Sequence, residues 1–160
     1  MKKIIVLMLT LVMGASLLTG CFSDPVADEL GKFLNTDMVT VNAKYEELKA
    51  EMGKWEGLAD DAALAASIKN VILPNINESI DLVSKIELST DEVKAIRDKY
   101  KKVLDTYKEG YELMLTSAEG GDQGAIDKGM EKIDEALKLL DEYNKALETL
   151  AAEKDMTVEY

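Results

Sequence analysis

The sequence predicts an all-α fold, an antiparallel up-down-up-down four-helix bundle. Apolar residues recur at alternating steps of three and four along most of the chain, a spacing typical of one helix face. Charged residues fill the opposite faces, and no alternating strand pattern occurs. Short turns near residues 57–60, 87–89 and 119–121 separate the periodic segments. Because short connections make consecutive helices antiparallel, a bundle is the simplest way to bury all four apolar stripes.

The first helix is expected at residues 25–56. Asp24 followed by Pro25 is a favourable start, since proline suits the first turn of a helix. Gly57 is expected to end the helix in the left-handed conformation. A break within residues 35–37 would give five helices instead, and a longer three-helix array is a further alternative.

The second helix is expected to begin at Asp60 or Asp61 and to continue to Ile86. Pro74 lies in its middle, where the ring removes one backbone hydrogen bond and crowds the carbonyl of Asn70. The sequence therefore predicts that helix two is kinked at Pro74.

The third helix has a recognisable beginning and end. Ser89 and Glu92 have the spacing of a capping box, and Gly120-Gly121 is expected to end the helix. Gly110 lies on the apolar seam, which predicts either a close contact with a neighbouring helix or a slight bend.

The fourth helix is expected to follow a cap at Asp122, with an apolar seam from Ile126 to Ala151. Asn144 interrupts that seam and is expected to fix the register of the helices. Residues 155–160 are expected to fray as a C-terminal tail.

The N-terminal segment has the organisation of an export signal. Lys2 and Lys3 are followed by a mostly apolar run at residues 4–18 and then by Leu18-Thr19-Gly20-Cys21, which contains the only cysteine of the chain. The run is shorter than the roughly 20 apolar residues that a membrane-spanning helix needs. The order of a leucine, two small residues and a cysteine resembles the lipobox of bacterial lipoproteins.

This resemblance covers residues 1–21 and implies a definite fate for the chain. In lipoproteins the cysteine sulfur receives a diacylglyceryl group, and a peptidase cuts just before it. Residues 1–20 would then be a cleaved signal peptide, residues 21–24 a lipid-anchored tether, and residues 25–154 the helical bundle. The resemblance implies a membrane anchor through acyl chains, such as palmitate, on Cys21. It places the protein on the outer leaflet of the cytoplasmic membrane of a Gram-positive host, or on the outer membrane of a Gram-negative host.

Composition argues against several functions. The 160 residues carry 19 basic and 31 acidic side chains, and loss of Lys2 and Lys3 with the signal changes the net charge from −12 to −14. Such a charge repels nucleic acid and anionic lipid head groups, so we expect neither as a partner. The chain has no histidine, which removes the common catalytic triads and most zinc sites. We therefore expect no enzyme activity, no metal and no cofactor.

Two groups of residues are candidates for a ligand or partner patch. Aromatic residues lie on or beside the apolar stripes, and Asn70, Pro74, Asn75 and Asn77 form a polar group on helix two. Aromatic side chains fill cores as readily as they line cavities, so the choice between core and pocket stays open. The tyrosines of helix three in this prediction are Tyr100, Tyr107 and Tyr111.

The sequence thus favours a membrane-anchored, non-catalytic binding or structural module of the cell envelope, with an unidentified envelope protein or small ligand as its partner. A lipoprotein that binds a small ligand in a cavity between helices is the first alternative. A carboxylate-based hydrolase of cell-wall glycans is a more distant one. An aromatic-lined void would favour the ligand binder, an exposed apolar patch would favour a protein partner, and two carboxylates facing each other across a cleft would favour the hydrolase.

Overall fold

The computed structural model describes residues 15–16 and 24–158. The described chain is mostly helical (85%) and resembles a helical bundle. Cys21 and most of the signal segment lie outside the described residues. The predicted all-α class is confirmed for the part of the chain that is described.

The α-helices form four rods, two of which contain a π-helical turn. The α-helices are α1 (Pro25–Lys32), α2 (Val39–Met52), α3 (Asp61–Ser67), α4 (Leu73–Ser84), α5 (Asp91–Gly120) and α6 (Gln123–Glu153). The π turns are Phe33–Asp37, between α1 and α2, and Ile68–Ile72, between α3 and α4. Two short strands, β1 (Ala15–Ser16) and β2 (Thr157–Val158), pair antiparallel, with Ala15 opposite Val158.

The first rod begins as predicted and ends earlier than predicted. The Asp24 carboxylate accepts the Val26 N–H at 2.8 Å, which confirms the cap. The π turn at Phe33–Asp37 interrupts the α-helix at the place where a break was the alternative. The helix then ends at Met52, and Gly57 lies in a short 3₁₀ turn without a positive φ. The predicted left-handed end at Gly57 is therefore wrong.

The second rod accommodates its proline by widening the helix. Asp60 caps α3 by accepting the Ala63 N–H at 2.9 Å, as predicted. Leu73 donates its N–H to the carbonyl of Ile68, five residues back, and Pro74 lies in the first turn of α4. Because a proline in the first turn needs no hydrogen-bond donor, the π turn supplies the interruption that the proline requires.

The third rod begins with a cap that comes from a distant part of the chain. Thr90 precedes α5, but its side chain caps nothing, and the predicted capping box of Ser89 and Glu92 is absent. Glu29 of α1 accepts the N–H groups of Ser89 and Thr90 and the Thr90 hydroxyl. Desolvation raises the pKa of Glu29, but these hydrogen bonds outweigh it and lower the pKa to about 2. The carboxylate therefore joins α1 to the start of α5.

α5 and α6 are the two longest helices, and a tight turn joins them. Gly121 takes a left-handed conformation (φ 70°) and donates to the Ser117 carbonyl at 2.7 Å, as its position predicted. Asp122 caps α6 by accepting the Gly124 N–H at 2.9 Å. A Cβ on Gly110 would lie 3.1 Å from the carbonyl oxygen of Gly129, so the predicted close contact at Gly110 is confirmed.

α5 is the central element of the described chain and packs against α1, α3, α4 and α6. Its inward face forms one continuous hydrophobic core together with α6 and the first two rods. Lys154, just beyond α6, donates to the Asp24 carboxylate at 2.8 Å and so connects the two ends of the helical domain. Where fraying was expected, Met156 is buried against the core and β2 forms its short pairing.

Candidate functional site

A cavity lies between α2, α4, α5 and α6. It encloses about 860 Å³ when its solvent-open mouth is included, but only about 70 Å³ of this is room for the centre of a water-sized molecule. Its aromatic lining is Tyr45, Trp55, Tyr100, Tyr107 and Tyr111. Three thioethers, those of Met52, Met114 and Met130, add soft apolar surface, and no carboxylate is among the described residues of the lining.

Helix spacing places these side chains together. Tyr100, Tyr107 and Tyr111 are seven and then four residues apart on α5, so they project from one face of that helix. Tyr45 and Met52, seven residues apart on α2, form the facing wall. Trp55, in the 3₁₀ turn after α2, also lines the cavity, and its indole N–H donates to Ser67 Oγ at 2.8 Å. Ser67 in turn donates to Glu51 at 2.7 Å, so the indole is held in a fixed orientation.

Two tyrosine hydroxyls of the cavity lack hydrogen-bond partners. Tyr45 and Tyr107 are 7% and 6% exposed, and neither hydroxyl oxygen has a partner in the described part of the chain. Tyr111 differs, because its hydroxyl donates to the Met52 sulfur at 3.1 Å. A buried polar group without a partner costs about 1–3 kcal/mol, so two such hydroxyls in one cavity call for a partner from outside the chain, either ordered water or a bound molecule.

All four tyrosines of the cavity are neutral at physiological pH. Burial raises the pKa of Tyr45 to about 12, with a smaller contribution from the nearby Glu46. Burial also raises the pKa values of Tyr100, Tyr107 and Tyr111, and the neighbouring phenols contribute to the same effect. The hydroxyls of Tyr45 and Tyr107 therefore keep their protons and can donate hydrogen bonds.

The aromatic rings support one another. Trp55 meets Tyr111 edge to face, with centroids 6.0 Å apart and an interplanar angle of 86°. Tyr107 and Tyr111 are nearly parallel, at 6.3 Å and 18°. Such pairs contribute about 0.5–1.5 kcal/mol beyond their buried area, so the wall is stiff and its hydroxyls are held in place.

Polar side chains occur at one edge of the cavity. Lys44 lines the cavity and forms ion pairs with Glu78 at 3.1 Å and Glu47 at 3.3 Å. The hydrogen bonds that Lys44 donates to these two carboxylates raise its pKa. Asn75 donates to Glu47 at 3.0 Å, while its own side-chain oxygen is buried without a partner. The positive charge of Lys44 is thus already matched by two negative charges.

The structure separates the predicted patch into two parts. Tyr100, Tyr107 and Tyr111 line the cavity. Asn75 is buried one turn before Ser79, a cavity residue whose hydroxyl donates to the Asn75 carbonyl at 2.9 Å. The remaining members, Asn70, Pro74 and Asn77, are exposed and are not part of the lining.

The sequence alone did not indicate that Met52 and Lys44 contribute to the cavity. These residues belong to helices other than α5, and no local pattern indicates that they face its tyrosines. The heptad spacing of Tyr45 and Met52 was the available signal.

The described residues contain neither a cluster suited to a metal ion nor a helix suited to crossing a membrane. No group of three or more acidic, cysteine or histidine side chains is arranged to hold a metal ion there. None of the described helices combines the length and hydrophobicity of a membrane span.

Comparison with known proteins gives no further guide to the site. No family model, curated protein or solved structure shows significant similarity to this chain.

Proposed function

We propose that this protein is an exported, lipid-anchored binding protein of the cell envelope, non-catalytic, with the tyrosine cavity as its binding site for a small molecule. The observation that carries the proposal is the pair of buried, unpartnered hydroxyls of Tyr45 and Tyr107 in one cavity. A bound molecule with a polar atom would satisfy both, and this is the usual construction of a ligand pocket, mostly apolar with a few placed polar groups.

The surface gives less support to a protein partner, the reading that the sequence alone favoured first. Among the described residues, Val39 is the only large hydrophobic side chain that is strongly exposed, at 55%. Protein interfaces are usually marked by a contiguous apolar patch, which a single valine does not form. The ligand-binding alternative therefore becomes the leading one.

We further propose that the four rods run up, down, up and down. The ion pairs Lys44–Glu78 and Lys69–Glu119, and the Lys154–Asp24 pair at the ends, are what antiparallel neighbours would form. Neighbouring rods that run parallel in an experimental structure would contradict this arrangement.

Native mass spectrometry of the protein extracted from its own host tests the anchor and the cavity separately. Wild-type protein should carry the mass of a lipid on Cys21, and Cys21→Ser should lose that lipid and leave the membrane fraction. Unchanged processing and anchoring of Cys21→Ser would contradict the lipobox reading.

The same spectra report on the cavity. Wild-type protein should carry a small non-covalent adduct, and Ser79→Val should reduce it because the added methyl groups enter the cavity. Ser84→Val, an exposed position of the same helix, is the matched control and should keep the adduct. Equal fractions of adduct-bound protein in Ser79→Val and wild type would place the bound molecule elsewhere.

A further inference from the structure

We infer that the molecule bound in the tyrosine cavity is uncharged and mainly apolar, and that it carries a hydrogen-bond acceptor such as a carbonyl that the hydroxyls of Tyr45 and Tyr107 hold. This inference rests on the proposed function, because it names the class of ligand for that same cavity. Three observations support it: the charge of the lining, the two hydroxyls without a partner in the described chain, and the available space.

The lining offers no free charge to a ligand. Lys44 is the only charged side chain among the described lining residues, and Glu47 and Glu78 already pair with it. An anion would have to compete with two carboxylates for that ammonium group. A cation would lose its hydration on entering the cavity, and no carboxylate in the described lining would pair with it. Because a buried charge without a partner is strongly disfavoured, the cavity selects against both.

The hydroxyls select among neutral molecules. Tyr45 and Tyr107 can each donate one hydrogen bond, and each is unpartnered within the described chain. A hydrocarbon would leave both hydroxyls unsatisfied, whereas a carbonyl oxygen has two lone pairs and can accept from both. A site with buried polar groups rejects the analogue that cannot pair with them.

The space limits the size of the group that enters. About 70 Å³ is open to the centre of a water-sized molecule, well below the roughly 300 Å³ at the lower end of pockets for drug-sized ligands. The enclosed part therefore fits a compact group, and the wider mouth accommodates the remaining apolar body. Tyrosine and methionine side chains along the lining supply the contact surface for that body.

Trp55 makes the inference measurable, because it is the only tryptophan of the chain and it lines the cavity. Its fluorescence can be followed in the processed protein in lipid nanodiscs during titration with four probes of one shape: cyclopentanone, cyclopentane, cyclopentylammonium and cyclopentanecarboxylate. Free tryptophan amide corrects for collisional quenching, and empty nanodiscs correct for loss of probe into lipid.

The wild-type protein should bind cyclopentanone saturably and about 3- to 10-fold more tightly than cyclopentane, the worth of one or two net hydrogen bonds. Both charged probes should bind more weakly still. Tyr45→Phe and Tyr107→Phe should remove the preference for cyclopentanone without changing the affinity for cyclopentane. Tyr143→Phe, a buried tyrosine outside the lining, is the matched control and should keep the preference.

Three results would overturn the inference. Tighter binding of either charged probe, or an unchanged preference for cyclopentanone in both cavity variants, would refute the ligand class while leaving the cavity as a binding site. Saturable binding by none of the four probes would refute both the ligand class and the proposed function, and would assign the two hydroxyls to ordered water alone.

Discussion

At the residue scale, the unusual feature is a pair of buried tyrosine hydroxyls that form no hydrogen bond with any described residue. Tyr45 and Tyr107 are more than nine-tenths buried, yet their hydroxyls have no partner in the described chain. A phenylalanine would fill the same space without the cost of desolvating a hydroxyl. The hydroxyls therefore lower the stability of the empty protein, a cost that the proposed ligand would offset.

Removing one of these hydroxyls should stabilise the empty protein. We expect Tyr107→Phe to raise the free energy of unfolding by about 0.5–2 kcal/mol, since an unsatisfied polar group is lost and no contact is broken. Urea unfolding followed by far-ultraviolet circular dichroism measures the change.

Tyr111→Phe is the matched comparison, because it removes the hydroxyl that donates to the Met52 sulfur. It should leave stability unchanged or lower it slightly. A loss of stability in Tyr107→Phe larger than that in Tyr111→Phe would mean that the Tyr107 hydroxyl is satisfied in the folded protein.

Glu29 should make the stability of the protein sensitive to acid. Its pKa falls from an ordinary 4.5 to about 2 in the folded protein, where the carboxylate holds Ser89 and Thr90. A lowered pKa means that this stabilisation is complete above pH 4.5 and is lost as the pH falls toward 2. Because the carboxylate is partly exposed, we expect Glu29→Gln to cost only about 0.5–1 kcal/mol at neutral pH.

The pH profile distinguishes this role from a general effect of charge. Between pH 4.5 and 2 the stability of Glu29→Gln should fall less steeply than that of wild type. Glu87→Gln, at an exposed position of the linker between α4 and α5, should keep the wild-type slope. Parallel slopes for Glu29→Gln and wild type in urea titrations would show that Glu29 does not clamp the start of α5.

At the element scale, the crossing of α5 and α6 depends on two glycines. A Cβ on Gly129 would lie 2.9 Å from the carbonyl oxygen of Gly110 and 2.7 Å from Met114 Cγ. Backbone atoms cannot give way as a flexible side chain can, so the two helices would have to separate. Gly129 therefore determines how closely α5 and α6, two walls of the cavity, approach each other.

Gly129→Ala should destabilise the protein, although alanine is the better helix former. The clash should cost about 1–3 kcal/mol, which exceeds the gain of about 1 kcal/mol in helix propensity. Gly120→Ala, with nothing within 4 Å of the added Cβ, should be neutral or stabilising by up to about 1 kcal/mol. Equal unfolding midpoints for the two variants in urea would mean that α5 and α6 are not in close contact at Gly129.

How much of the fold the sequence could predict depends on whether a contact joins residues that are close or distant along the chain. The caps at Asp24, Asp60 and Asp122 were predictable, because a cap depends on residues two or three positions away. The cap of α5 was not, because Glu29 lies 60 residues before Ser89. The π turn before Pro74 depends on how the chain relieves a local conflict, and the sequence shows only that a conflict exists.

The candidate site was predictable only in part for a similar reason. The tyrosines of α5 share one helix face, so their spacing already grouped them. Their meeting with Tyr45 and Trp55 depends on the relative rotation of separate rods, which no single seam determines. Whether two hydroxyls end without partners is a property of that packing and has no signature along the chain.

At the scale of the whole molecule, the two ends of the helical domain meet near the proposed anchor. Lys154 pairs with Asp24, three residues after Cys21, so the end of α6 lies beside the start of α1. A lipid on Cys21 would hold this end of the domain close to the membrane. Tyr45 and Trp55 lie more than 20 residues farther along the chain, beyond the π turn, so this part of the cavity would lie away from the anchored end of the domain.

The most direct test of the binding site is a crystal structure of the processed protein purified from its own host. We expect density for a non-protein molecule in the cavity, with an acceptor atom within about 3 Å of the hydroxyl oxygens of Tyr45 and Tyr107. A cavity that is closed, or that holds only water with both hydroxyls bonded to the protein or to that water, would contradict the assignment of this cavity as a ligand site.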